Sequence, residues 1–270
     1  MPIPRVGELL QHIGGKKLYH SFDLAHGYHN LEVHPDDQPK TAIILPEDLG
    51  LPHRQYEYTR LGFGLSAAPG AFQYVADRLV TPAEEPNPTN DLGPTVVAYI
   101  DDICIAGEPF QEMLQRLQAF FNRVRARASR FLLKAKKCEL FPWLFQKEIP
   151  FLGHIVFESG IKTDGNKIEK VVHWPIPENL KELRTWLGMV NYYTKYIPQM
   201  TTIAAPLYHL LKKGVEYHWS EECNNAFEKI KKQMTTAPIL GSPDPSKGPF
   251  TLTTDCSLTG MGAVLTQEQG

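Results

Sequence analysis

Four cysteines in 270 residues, Cys104, Cys138, Cys223 and Cys256, lie far apart and form no C-x-x-C pair. Neither a disulfide framework nor a thiolate zinc site is indicated, and a reducing compartment fits. His26-x-x-His29 has no second cysteine or histidine pair at finger spacing, which removes the other common zinc arrangement. No apolar run reaches the ~18 residues of a membrane span, and no basic-then-apolar leader opens the chain. The expectation is a protein that is neither secreted nor membrane-spanning and acts inside the cell, in cytoplasm or nucleus. A formal net charge of −2 provides no molecule-wide basic field to attract nucleic acid. No internal repeat is evident.

The composition, 42% hydrophobic and 21% charged, is that of a globular chain with core enough for one large or two modest domains. Charge is unevenly placed. From Arg116 to Lys137 there are eight basic residues and no acid. Such a run is either a solvated helix face or a lining for a phosphate backbone.

Periodicity sets out the elements. Val6, Leu9, Leu10 and Ile13 predict a short helix ended by Gly14-Gly15. Leu18–Leu24 reads as a strand, and His34–Pro39 as a turn-rich connector. Thr41–Leu45 and Gln55–Arg60 read as a strand pair. Ser66 is a candidate cap for a helix with Pro69 in its first turn and Phe72, Val75, Ala76 and Leu79 on its buried face. Residues 81–95 read as a surface loop. Phe110, Met113, Leu114, Leu117, Phe121 and Val124 mark a long amphipathic helix. Phe151–Phe157 reads as a strand with a glycine inside it. Helices follow from Asn166, and Phe250–Asp255 and Gly260–Thr266 predict a closing strand pair. The fold class expected is α+β, with helices on one face of an antiparallel sheet.

Acids interrupt this pattern at two places. Tyr99-Ile100-Asp101-Asp102 sits inside an apolar, strand-like run from Val96 to Gly107, where charge is expensive to bury. A turn between two short strands puts both aspartates at its tip, either as a solvated turn or as ligands for a hard divalent cation. Asp23 lies near the end of the strand Leu18–Leu24, with Gly27 and Tyr28 just beyond. Phosphoryl-transfer sites with two metals, roughly 3.5–4 Å apart, draw carboxylates from separate elements in this way.

Together these segments resemble the polymerase region of gypsy-type LTR retrotransposon and retroviral reverse transcriptases, in family order over nearly the whole length. Phe22-Asp23-Leu24-x-x-Gly27-Tyr28-His29 is similar to the first catalytic motif. Phe63-Gly64-Leu65-Ser66-x-Ala68-Pro69-x-x-Phe72-Gln73 resembles the template- and nucleotide-contacting motif, Tyr99-Ile100-Asp101-Asp102 the catalytic hairpin, and Phe151-Leu152-Gly153-His154 the primer grip. Thr254-Asp255-x-Ser257-x-x-Gly260-x-Gly262-Ala263 resembles the opening of a ribonuclease H domain.

The resemblance implies a palm at 1–157, a helical thumb or connection at 158–245 and an incomplete ribonuclease H-like start at 246–270. It implies an RNA-directed DNA polymerase using two Mg²⁺ ions, with Mn²⁺ able to substitute. Its partners would be an RNA template, a DNA primer and deoxynucleoside triphosphates. Asp23, Asp101 and Asp102 would be the catalytic, metal-binding triad. Tyr28, Phe63, Gln73 and Tyr99 would lie beside nucleotide or template. Tyr28, which by itself reads as a core tyrosine, would exclude a 2′-hydroxyl, against an RNA polymerase of similar palm. Lys137 would serve the leaving pyrophosphate, with Lys134 and Lys136 as rivals.

The chain departs from the family at Gly62, usually proline, and Ala67, usually asparagine, and 46–54 and 81–94 look longer than usual. The upstream fingers have no counterpart here, and Asp255 alone remains of the ribonuclease H carboxylates, so that activity is expected to be absent. The chain is thus read as a polyprotein fragment or a decayed copy. The alternative is an inactive or co-opted remnant that binds nucleic acid or a protein.

Overall fold

A computed structural model describes residues 3–25, 27–45, 54–81, 92–93, 95–126, 131–138, 148–236, 241, 246, 248–256 and 261–268. The chain forms two compact units, Met1–Leu152 and Gly153–Gly270.

In the first unit, α1 (Val6–Ile13) buries Leu10 and Ile13 and stops at Gly14. It leads into β1 (Leu18–Ala25), whose burial pattern shows both faces covered. Pro35–Thr41 forms a 3₁₀ helix where a turn-rich connector was expected. The next strand pair is shorter than expected, only β2 (Ile43–Ile44) against β3 (Gln55–Tyr56), and its connector falls outside the described residues. Then come α2 (Ala68–Val80), β4 (Val96–Tyr99), β5 (Asp102–Gly107), α3 (Phe110–Ala126), β6 (Leu132–Leu133) and β7 (Glu148–Phe151). Ser66 is not the cap of α2: Ala67 occupies that position with no side-chain cap bond, and Pro69 begins the first turn as expected. The loop read at 81–95 lies largely outside the described residues.

A four-stranded sheet in the order β4-β5-β1-β6 is the frame of this unit. Phe22, Leu24, Ile103 and Ile105 from the sheet meet Phe72, Ala76 and Leu79 of α2 and Met113, Leu117 and Phe120 of α3. Phe22 and Phe120 have ring centroids 4.5 Å apart. Each large side chain so buried contributes about 1.5–3 kcal/mol.

The inner stripe of α3 contains a charge. Arg116 is buried; its Nη1 donates to Ala106 O (2.6 Å) and Thr95 Oγ1 (2.8 Å), and it pairs with Glu112. A Cβ on Gly93 or Gly107 would come within 2.6 or 2.3 Å of the guanidinium, so both glycines are needed for its fit. About two turns on, Arg123 donates to Leu79 O (3.0 Å) and Thr81 O (2.6 Å) at the end of α2. Two members of the basic run therefore tie the unit together, Arg116 from inside it and Arg123 from a half-buried place on α3.

The second unit begins with the antiparallel pair β8 (His154–Phe157) and β9 (Gly160–Thr163). The strand read across 151–157 is instead broken by a turn, since Leu152 and Gly153 both have positive φ (46° and 68°). Helices α4 (Gly165–Val172), α5 (Leu180–Tyr192), α6 (Met200–Ile203), α7 (Ala205–Leu210) and α8 (Glu221–Thr235) follow. Asp164, Asn179 and Ser220 cap α4, α5 and α8 by accepting from backbone N–H groups. The periodicity of the sequence sets Leu180, Leu183, Leu187 and Val190 on one face, Leu207, Leu210 and Leu211 on another and Ala226, Phe227 and Ile230 on a third; all are buried except Leu180 and Leu211, which are half-buried. Trp186 lies 4.5 Å from Phe227 between ring centroids. The last pair, β10 (Phe250–Cys256) and β11 (Met261–Gln267), is antiparallel and sets Leu252 opposite Leu265. No helix among the described residues is long and apolar enough to cross a membrane.

Candidate active site

The β1–β5 ladder places Asp23 directly opposite Asp102. Asp102 begins β5, so it lies in the strand rather than at the tip of the turn. Asp101 is in the turn, where its carbonyl accepts from Leu24 N–H (2.9 Å) and locks the hairpin to β1.

Ile100 precedes the acids with φ +53°, a left-handed conformation that a β-branched residue rarely adopts and that costs about 1–3 kcal/mol. Gln73 holds it there. Its Oε1 accepts from Ile100 N–H (2.7 Å), while Nε2 donates to Ala98 O (3.0 Å) and Asp77 Oδ1 (2.7 Å). Gln73 is fully buried, so in this structure it acts on the hairpin backbone instead of reaching a pocket. Tyr99 is half-buried and pairs with Asp102 in the β4–β5 ladder.

Two pockets open on the acids. One, of ≈ 410 Å³, is lined by Tyr28, Phe63, Phe72, Asp101 and Lys134, among others. Tyr28 stands edge-on to Phe63 and Phe72, with centroids 5.4 and 5.5 Å away, while Phe63 leaves 74% of its surface exposed. A Cβ at Gly27 would sit 3.0 Å from Phe72, which explains the glycine before Tyr28. The other pocket, of ≈ 320 Å³, is lined by Asp23, Asp102, Lys137, Phe151 and Leu152 with their neighbours. The three aspartates therefore divide between adjoining pockets, Asp101 with the aromatic rings and Asp23 with Asp102.

The expected primer-grip residues divide too. Phe151 and Leu152 line the Asp23–Asp102 pocket. In the second unit, Gly153 O accepts from Tyr193 Oη (3.1 Å), and His154 is buried against Tyr192, Tyr193 and Tyr196 (centroids 5.3, 5.5 and 5.7 Å).

Both oxygens of Asp23 meet a lysine. Lys137 Nζ donates to Oδ2 (3.0 Å). Lys134 Nζ lies 2.7 Å from Oδ1, but at an angle that makes no directed hydrogen bond. We therefore treat that contact as an ion pair. Lys136 is exposed. Lys134 and Lys137 lie three apart at the two ends of the 3₁₀ turn Ala135–Lys137, a spacing that projects both side chains to the same side, towards Asp23. Lys134 at Asp23 was the contact that sequence reasoning missed.

Electrostatics follow the geometry. Burial opposes ionisation of Asp23, yet Lys134 and Lys137 outweigh it and hold the carboxyl below its usual range. Burial, then the charges of Asp101 and Asp23, push Asp102 up to about 6. Contact with Asp23 raises the Lys137 ammonium in turn.

Crowded carboxylates of this kind are relieved by a cation, and hard oxygen donors suit Mg²⁺ or Mn²⁺. The buried Asp23 Oδ1, lacking a directed donor, fits a metal ligand. Among the described residues, no three acidic, cysteine or histidine side chains converge on a single ion position.

An antiparallel sheet backed by helices, with acids at a strand end and hairpin turn beside an aromatic pocket, is a polymerase-type palm. The chain is similar in structure to a foamy viral protease-reverse transcriptase solved with double-stranded DNA (TM-score 0.76, 24% identity, covering 95% of this chain and 42% of that one). It is likewise similar to one solved with an RNA/DNA hybrid (TM-score 0.76, 21% identity, 98% and 36%). Residues 2–156 match the family model of the reverse transcriptase (RNA-dependent DNA polymerase), and residues 219–270 that of the RNase H-like domain found in reverse transcriptase. The chain belongs to the reverse transcriptase family, whose members generally use divalent metals.

It is 36% identical over 267 residues to the retrovirus-related Pol polyprotein from transposon 297 of Drosophila melanogaster, covering 98% of this chain and 23% of that one. It is 32% identical to the transposon Tf2-3 polyprotein of Schizosaccharomyces pombe, covering 99% and 18%. The chain thus spans less than a quarter of the length of these relatives.

Proposed function

We propose that this chain is the polymerase core of a retrotransposon reverse transcriptase, extending a DNA primer on an RNA template with deoxynucleoside triphosphates inside the cell, in cytoplasm or nucleus. The observation that carries the reading is the Asp23–Asp102 register, with Asp101 turned beside Tyr28 and Phe63. Asp23, Asp101 and Asp102 would hold two Mg²⁺ ions, or Mn²⁺ in their place. Held there, such ions would supply acidification of the primer 3′-hydroxyl and neutralisation of charge on the triphosphate.

The protein's own groups do the positioning. Tyr28, braced by Phe72, presents its ring to the sugar and excludes a 2′-hydroxyl. Phe63 offers an exposed face for stacking. Phe151 and Leu152 border the pocket of Asp23 and Asp102, where a primer end would be held, and Gly153 and His154 continue that segment. Lys137, kept protonated by Asp23, is placed to give a proton to the leaving pyrophosphate. Gln73 and Tyr99 serve nucleotide and template indirectly, through the shape of the hairpin. Residues 1–157 act as palm, 158–245 as thumb or connection, and 246–270 as part of a ribonuclease H-like region, whose matched stretch also takes in α8.

Primer extension on an RNA template with Mg²⁺ tests the assignment. The chain should extend the primer and D101N should not. Equal activity in both proteins would overturn the role of the aspartates.

A further inference from the structure

Lys134 differs from Lys137 in how it holds Asp23. Lys137 makes a directed hydrogen bond to Oδ2, whereas the 2.7 Å ion pair of Lys134 with Oδ1 falls outside directed hydrogen-bond geometry. A contact without directional bonding is the easier of the two to exchange. The Lys134 backbone is fixed: its N–H donates to Asp23 O (2.9 Å), and its carbonyl accepts from Lys137 N–H (2.8 Å) and Cys138 N–H (3.1 Å). Only the flexible four-carbon stem has freedom to move. It has somewhere to go, because Lys134 also lines the neighbouring pocket with Asp101, Tyr28 and Phe63. There the ammonium would meet a carboxylate or the phosphates of a ligand.

We propose that Lys134 is an exchangeable counter-ion of Asp23, an internal competitor that a divalent cation displaces from Oδ1 while Lys137 stays on Oδ2. The proposal rests on the reading of Asp23, Asp101 and Asp102 as metal ligands. It makes Lys134 a positioning residue that sets the cation concentration at which the site fills. Side chain and cation compete for one oxygen, so removing the ammonium strengthens cation binding, although it also removes the partner that holds Asp23 ionised.

Mn²⁺ titration of the full chain, followed by the electron paramagnetic resonance of free Mn²⁺, reads binding without any turnover. K134Q should bind Mn²⁺ about two- to fivefold more tightly than the parent, the range that a partly exposed ion pair represents. K134M, apolar and of similar length, should do the same and serves should K134Q fold poorly. K134R keeps the charge and should not tighten binding. K137Q should bind no more tightly than the parent, since Lys137 supports the carboxylate without blocking it. Unchanged or weaker binding in both K134Q and K134M, or equal tightening in K137Q, overturns the proposal. D101N separates this from the underlying reading: it should lose affinity in every background, and parent-like Mn²⁺ binding by D101N sinks the metal-ligand assignment itself.

Discussion

Buried polar side chains divide unevenly between the two units. Among the described residues, the charged, amide and imidazole side chains buried as a whole are His20, Asp23, Gln73 and Arg116 in the first and His154 in the second, which also buries polar atoms of Tyr196, Trp219 and Gln233. The second unit is closed mainly by leucines and by aromatic packing such as Trp186 on Phe227. Burying a charged or amide group costs free energy unless partners are in place. The first unit provides those partners one by one: lysines for Asp23, carbonyls for Arg116, the hairpin backbone for Gln73. Charged and amide burial is thus greater in the unit that carries the acids, with Gln73 at the hairpin itself and Arg116 at the other end of β5.

The hardest test of this contrast is D102N. Primer extension should fall on the order of 10²–10³-fold or more, the loss typical of removing one preorganised electrostatic group. The melting temperature should hold or rise, because the change relieves like-charge repulsion around a carboxyl raised by burial, Asp101 and Asp23. A lower melting temperature with activity retained would reverse the contrast. In the second unit the opposite pattern is expected. Trp186→Ala removes a fully buried ring and should cost about 3–5 kcal/mol in urea unfolding.

Between these extremes stands Gln73→Met. It leaves the Ile100 N–H and the Ala98 carbonyl without their side-chain partner, at about 1–3 kcal/mol for each buried group left unpaired. It should also reduce primer extension, because Ile100 is freed to leave its left-handed conformation and Asp101 moves with it. Stability lost with extension at the parent rate would make Gln73 a packing residue only.

The smallest effect is expected at Tyr193, whose hydroxyl donates to Gly153 O. Tyr193→Phe should cost about 1 kcal/mol at neutral pH. Burial, with lesser contributions from Tyr192 and Asp164, pushes this phenol up to about 12. The folded chain therefore holds the proton more tightly than the unfolded one. The stabilisation is complete below about pH 10 and is lost as pH rises through 12. Chemical denaturation across that range should show a shallower alkaline decline in the phenylalanine variant.

Much of this architecture was legible in local pattern. The stripe Phe72, Ala76 and Leu79 is the buried face of α2, and the strands around Tyr99–Asp102 pair as a hairpin. What local pattern did not show are contacts between residues far apart in the chain. Arg116 and Arg123 look like surface charge in a basic run, yet Arg116 is buried, Arg123 half-buried, and their bonds to the strands and to α2 go to residues 10 to 44 positions away. Gln73 sits in a motif associated with ligand contact and is consumed by a hairpin 25 to 27 residues on.

Periods of 2 and 3.6 are properties of the backbone itself, so strands, helices and the positions of the acids could be read from the residues in order. Which oxygen meets which ammonium could not. Lys137 and Asp23 are 114 residues apart, and their contact depends on the pairing of β1 with β6 and on the 3₁₀ turn that follows. Likewise, the separation of Asp101 from the Asp23–Asp102 pair arises from one residue of strand register, a quantity set by the packing of the whole sheet.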